Sequence, residues 1–249
     1  MPHISLAAEK IGILWGFPIS NALVTTWFVM ALIVVGSILI TSRLSLVPSN
    51  TQSMAELLVG GLYNFFETVV GKRVAQFFPL VGSLFLYILV ANWVGLLPGV
   101  GTIGFFHTEG FTPLLRGATA DLNTTLALAV VAVVAIQYYG FKTVGSHYSS
   151  RFFNFGGPIN FFVGLLELVS EVSKVISFGF RLFGNIFAGE VLLTVMAFLM
   201  PFIVPLPFLM LELFVGFIQA LVFSMLTAVF LNVAVSHGEE HGEGVKAHG

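Results

Sequence analysis

Between Asn21 and Arg43 the chain carries no acid or base, and its apolar run reads as a first membrane span over 20–42. About 20 residues suffice for a hydrocarbon core of ~30 Å. A signal peptide would show a basic start, an apolar core of about 7 to 15 residues and a small-residue cleavage site, so this span is expected to be retained. Over 54–78 the pattern changes. Glu56, Asn64, Glu67, Lys72 and Arg73 interrupt Leu57, Leu58, Leu62, Phe65, Phe66, Val69 and Val70, which predicts an amphipathic helix lying in the interface. Residues 74–107 again lack charge. Pro79 as a helical start and Leu97-Pro98-Gly99 as an end predict a second span over 79–98. The Gly-, Thr- and Pro-rich stretch 99–120 reads as a loop, and Asp121 or Asn123 offers a cap for a third span over 121–142.

The last third differs in kind. No proline falls between Pro158 and Pro201, so a helix over 158–200 would measure roughly 63 Å, twice the bilayer core. A second helix over 208–236 would reach roughly 43 Å. Both are too long to stand upright, which predicts a strongly tilted helical hairpin. The polar, Gly-rich residues 237–249 read as a solvated, flexible tail. The expected fold is therefore one all-α integral membrane domain over 1–249. It has about three steep transmembrane helices, one interfacial helix and the tilted hairpin.

Composition supports this reading and removes alternatives. Charged residues make up 9% of the 249, against roughly 25% in soluble domains, and 27 are Phe. The net charge of −2 leaves no basic footprint for nucleic acid. Cysteine is absent, which excludes disulfides, Zn-thiolate sites and thiol catalysis in this chain. With the N-terminus outside, Arg43, Lys72, Arg73, Lys142 and Arg151 all fall inside, leaving Lys10 and Arg116 outside. The C-terminus then lies in the cytoplasm.

The hairpin holds six ionisable groups where each costs at least ~2.5 kcal/mol at membrane depth: Glu167, Glu171, Lys174, Arg181, Glu190 and Glu212. The first three lie near its start and read as interfacial groups paired with one another. Arg181 sits near the middle of the long helix. Ser177, Arg181, Gly184 and Ala188 follow steps of four, three and four, so they share one face that is small except for the arginine. Such a face admits a close helix and presents the cation to it, and an acidic partner is the natural inference. The competing arrangement packs Gly184 and Ala188 on the second hairpin helix and pairs Arg181 with Glu212. Glu190 lies half a turn round from Arg181, and Asn185 about 40° from it. On the second helix Glu212, Gly216 and Gln219 line one side. A glutamate in such a setting can exchange a proton, whereas arginine stays charged. A fixed cation between two carboxyl files is a gate. It repels an arriving proton and attracts an ionised acid by ~4 kcal/mol at 4 Å under an effective dielectric near 20.

The string SFGFRLFGNIFAGE, followed by VGFIQALVFSMLTAVFL, together with ANWVGLLPG and TADLNTTLALA, resembles subunit a of F-type ATP synthases over most of the chain. The resemblance implies the stator channel of the F0 sector, beside a ring of c subunits whose carboxylates are reached by two offset half-channels. It implies that Arg181 is the essential stator arginine, Glu190 belongs to the outer half-channel, Gln219 lies close to Arg181, Asn185 lines the same region and Asp121 is an acid near the outer mouth. Glu212 occupies a position that varies in the family between His and an acid. Implied partners are the c ring, the b subunits of the peripheral stalk, the remaining F0F1 subunits, lipid and translocated protons. The expected location is an energy-transducing membrane, by default the bacterial plasma membrane.

No cofactor or metal is expected, and the chain lacks the GxxxxGK[ST] phosphate loop, so it is read as a non-catalytic subunit. The tail histidines read as solvated rather than metal-binding, and Asn123-Thr-Thr as a helix start rather than a glycosylation site. The rival functions are a secondary transporter, for which no duplicated half is visible, and a purely structural membrane anchor.

Overall fold

The computed structural model describes residues 8–14, 17–42, 44, 45, 47–97, 100, 104–107, 110–145, 148, 152, 157–200 and 203–246. A short antiparallel hairpin, β1 (Lys10–Leu14) and β2 (Phe17–Ser20), leads into α1 (Asn21–Thr41). Then come α2 (Asn50–Val70), a 3-10 turn (Gly71–Arg73) and α3 (Val74–Gly95). A second antiparallel hairpin, β3 (Gly104–His107) and β4 (Gly110–Pro113), and a 3-10 turn (Ala118–Ala120) precede α4 (Leu122–Val144), α5 (Pro158–Leu199) and α6 (Pro205–Lys246). Among the described residues, five helical runs are long and apolar enough to cross a membrane: 21–41, 50–95, 122–144, 159–199 and 205–236.

The helix starts follow local chemistry. Ser20 caps α1 by accepting from the Leu23 amide, Ser49 caps α2 through Gln52, and Asp121 caps α4 through Thr124. Pro158 opens α5, where its missing N–H costs nothing. Hydroxyls inside the helices are satisfied on their own backbone: Thr25 bonds to Asn21 O, Ser224 to Ala220 O and Thr227 to Phe223 O. In hydrocarbon these groups have no solvent to turn to.

The core lies where α3, α4, α5 and α6 pack on one another. Phe85 and Ile88 of α3, Ala129 and Ala132 of α4, Leu182 of α5 and Ala220 of α6 form its centre. On α6 the buried small residues Gly216, Ala220, Ser224, Thr227 and Ala228 allow close helix contact. A Cβ at Gly216 would lie 3.1 Å from the Cβ of Asn92. By contrast α1 is largely uncovered: Val34, Ile38 and Leu39 are all more than half exposed, as suits a lipid-facing helix.

Three expectations need correction. The break expected between Phe78 and Pro79 falls instead at Gly71–Arg73, where Gly71 takes φ 66° and ends α2. Pro79 lies inside α3, a position that membrane helices tolerate more readily than soluble ones. The stretch 99–120 holds the β3–β4 hairpin and a 3-10 turn rather than loop alone. Finally, α6 starts at Pro205 and its backbone stays helical to Lys246, through most of the expected tail. Arg43, Pro98, Gly99 and Arg151 lie outside the described residues.

Candidate functional site

Helix α5 divides its circumference among three environments. Phe178, Leu182 and Ile186 are buried against the core. Ser177, Arg181, Gly184, Asn185 and Ala188 are exposed, and a Cβ added at Gly184 would meet nothing within 4 Å. Glu190 turns away from both sets towards an internal cavity. The arrangement in which Gly184 and Ala188 pack on the second hairpin helix is therefore not the one adopted.

Arg181 stays on the exposed face. Its Nη2 donates to Ser177 Oγ at 3.3 Å, one turn back on the same helix. Among the described residues no carboxylate comes within ion-pair distance of its guanidinium, so the pairing with Glu212 does not occur. Glu171 and Lys174, by contrast, do pair, at 2.7 Å, and the Lys174 ammonium also sits 4.7 Å over the Phe230 ring.

The cavity has a volume of about 580 Å³ and lies at one end of the bundle. It is bounded by the start of α1, the C-terminal end of α3, the segment before α4, the C-terminal part of α5 and the start of α6. It brings Glu190 and Glu212 together from the two hairpin helices, with Arg116, Asn92 and Thr119 in the same wall. Arg116 Nε lies 3.7 Å from Glu190 Oε1, and the arginine is only 8% exposed. Its backbone amide donates to Thr25 Oγ1 at 3.2 Å, which fixes this segment to α1.

Glu212 is buried and its carboxylate lies against Gly189 of α5, in the space a Cβ would take. Among the described residues Glu212 Oε1 and Glu190 Oε2 are buried with no hydrogen-bond partner, so each has a free acceptor site on the cavity. Asn92 braces the opposite wall. It donates through Nδ2 to Gly216 O at 2.8 Å and accepts through Oδ1 from Thr119 Oγ1 at 2.7 Å.

Of the residues singled out from the sequence, Glu190 and Glu212 thus share the cavity, while Arg181 and Asn185 share the outer face of the same helix. Gln219 is half-buried on α6, two turns beyond Glu212. Asp121 is buried as the cap of α4 and borders a second, smaller cavity beside Tyr87 and Thr26. Arg116 and Asn92 are the members that sequence reasoning missed. A single arginine in a loop reads as an orientation charge, and one asparagine in an apolar span carries no spacing signal of its own.

The arrangement separates two chemistries around α5. The carboxyls of Glu190 and Glu212, which face one cavity, can take up and release a proton. A fixed cation on an uncovered face can attract an ionised acid brought to it.

Comparison with known proteins places the chain. The family model described as ATP synthase A chain matches residues 23–232. A protein named ATP synthase subunit a from Citrifermentans bemidjiense is 39% identical over 221 residues, 88% of this chain and 89% of its own length. The protein of the same name from Gloeobacter violaceus is 36% identical over 244 residues, 95% of this chain and 94% of its own. That from Moorella thermoacetica is 32% identical over 214 residues. With its several membrane-spanning helices and a match over most of its length, the chain belongs to the ATP synthase subunit a family.

Proposed function

We propose that this chain is the non-catalytic stator subunit of an F0 sector, carrying protons to and from a rotating ring of c subunits. The observation that supports it is the split on α5: Arg181 on an uncovered face of small residues, Glu190 on the cavity it shares with Glu212, half a turn away. The ring is read as lying against the Arg181 face, held by the remaining F0F1 subunits, the b stalk among them.

The same geometry supports one orientation. Lys72 and Arg73 precede α3 and Lys142 lies in the last turn of α4, whereas the cavity is bounded by the end of α3 and the start of α4. The basic residues therefore belong to the end opposite the cavity. By the positive-inside tendency that end is cytoplasmic, which puts the cavity on the outer side and both the α1 start and the hairpin turn with it. A bacterial plasma membrane fits this reading, with the N-terminus outside and the C-terminus in the cytoplasm.

In the working cycle a proton reaches the cavity, is held by Glu190 and Glu212 as a coupled pair, and passes to a ring carboxylate. The neutral carboxyl can turn into lipid, where its ionised form could not. After nearly a full revolution it loses the proton to the inner half-channel and is drawn to Arg181. The arginine blocks direct passage between the two paths, since it repels a proton and does not itself release one. Each proton supplies about 2.3 kcal/mol per 100 mV of membrane potential. Asn185 and Gln219 extend the polar surface beside Arg181, and Asp121 is the acid nearest the start of α4 on that same outer side.

The deciding measurement is ATP synthesis by Arg181→Ala and Arg181→Lys complexes in inverted vesicles. Both lose coupled synthesis, and the alanine variant also gains a passive proton leak. Lysine fails because it has no guanidinium fork and can be deprotonated when desolvated. Normal coupled synthesis by Arg181→Ala would leave only a structural anchor.

A further inference from the structure

Glu190, whose side chain is 41% exposed, and the buried Glu212 are not the only acids on this cavity. Its lining contains a third carboxyl. Glu9, just before β1, lines the same cavity as Arg116, Glu190 and Glu212. Among the described residues its Oε2 is buried without a hydrogen-bond partner. Nothing in the sequence marks it out, because it lies ahead of the first span and ahead of the residues that the family model matches.

Its position is fixed from several sides. The Asn21 amide donates to Glu9 O at 3.1 Å, tying this segment to the first residue of α1. Asn21 Nδ2 in turn donates to Pro113 O at 3.4 Å, at the end of β4. The Arg116 amide donates to Thr25 Oγ1, one turn further along α1. The segment before β1, the start of α1, the second hairpin and the Arg116 segment are thus joined to one another beside the cavity.

An acidic group alone would not make a site. The independent observation is Glu212, which is 5% exposed, lines the same cavity, and has Oε1 free of any hydrogen bond among the described residues. Three carboxylate oxygens on one cavity, from Glu9, Glu190 and Glu212, thus lack a hydrogen-bond partner among the described residues and are open to accept a proton.

Resting on the proton path described above, we propose that Glu9 is a third carboxylate of that path: it takes up protons in the cavity and exchanges them with Glu190 and Glu212. A negative charge lining a cleft raises the local concentration of cations, and its removal slows their capture. The segment before α1 is then part of the conducting path and not merely a leader to the first span.

The absence of cysteine from this chain permits a direct test in the whole ATP synthase. Complexes carrying Glu9→Gln or Glu9→Cys are purified and reconstituted, and ATP synthesis is measured at an imposed proton gradient. Before reconstitution the Glu9→Cys complex is treated with a sulfonatoethyl or a trimethylammonioethyl methanethiosulfonate, with the parent complex treated in parallel. Glu9→Gln lowers the synthesis rate by about threefold or more. The untreated cysteine variant is equally slow, the anionic adduct restores the rate and the cationic adduct does not. A merely structural role would not follow the sign of the adduct. Equal rates for parent and Glu9→Gln, or equal rates for the two adducts, overturn the proposal. Should Glu9→Gln fail to assemble, the cysteine complex, modified after assembly, decides. Glu190→Gln and Arg181→Ala are measured alongside. If they synthesise normally, the proton path itself is refuted, whereas loss in them with normal Glu9→Gln refutes only the role of Glu9.

Discussion

The carboxylate of Glu212 lies directly against the α-carbon of Gly189, one helix across, and fills the space where any other residue would carry its side chain. Gly189→Ala therefore cannot be accommodated without moving Glu212 or parting α5 from α6. The variant is expected to assemble with the complex and to lose at least about tenfold in proton-driven synthesis, the scale on which general acid-base groups act when displaced. Wild-type synthesis by Gly189→Ala would show that the placing of Glu212 has no part in conduction.

Arg116 offers a second test through Glu190. Its guanidinium is the cation nearest that carboxylate, with Nε 3.7 Å from Oε1. Arg116→Gln releases Glu190 from this contact and is expected to slow passive proton conduction in vesicles stripped of the peripheral ATPase. Arg116→Lys, which keeps the charge but not the fork, should fall between the two. An unchanged conduction rate in Arg116→Gln would remove Arg116 from the path.

The exposed stripe of α5 predicts a separation between folding and association. Ala188 is exposed and Gly184 has open space beyond it, so Ala188→Leu should leave the chain's expression and thermal stability in detergent unchanged. The same substitution places a larger side chain between α5 and an approaching helix and should reduce recovery of c subunits with the tagged chain. Equal recovery would mean that the ring sits elsewhere.

Asn92 makes the complementary prediction, of stability before function. Asn92→Leu leaves the Gly216 carbonyl and the Thr119 hydroxyl, both buried, without their partner. The expected loss is about 1–3 kcal/mol, read as a lower midpoint of thermal unfolding in detergent. Interhelical hydrogen bonds in membranes average only ~0.6 kcal/mol, so the value tells whether the cavity wall behaves as protein interior or as ordinary bilayer packing.

Much of this arrangement is legible in residue order alone. Uncharged runs mark the spans because ionised groups are excluded from hydrocarbon, and the steps from Ser177 to Ala188 place Arg181 on a small face because helical geometry requires it. The same arithmetic turns Glu190 to the other side, where the cavity is. What escaped are features that depend on partners distant in the chain. Pro79 looks like a helix start until the packing around it makes an interior position acceptable, while Gly71, with its left-handed conformation, carries the real break. Arg116 and Glu9 look like loop charges until two hairpins and the start of α1 bring them to the cavity that Glu190 lines. The β3–β4 hairpin, with Phe106 opposite Phe111, shows too short a pattern to be told from an irregular loop.

The indole of Trp93 donates to the carbonyl of Leu213 at 3.2 Å, the residue that follows Glu212. The chain thereby contains a native optical reporter beside its buried acid. With Trp15 and Trp27 replaced by Phe, the emission of the remaining tryptophan should track displacements of the α6 start during turnover, without any attached dye.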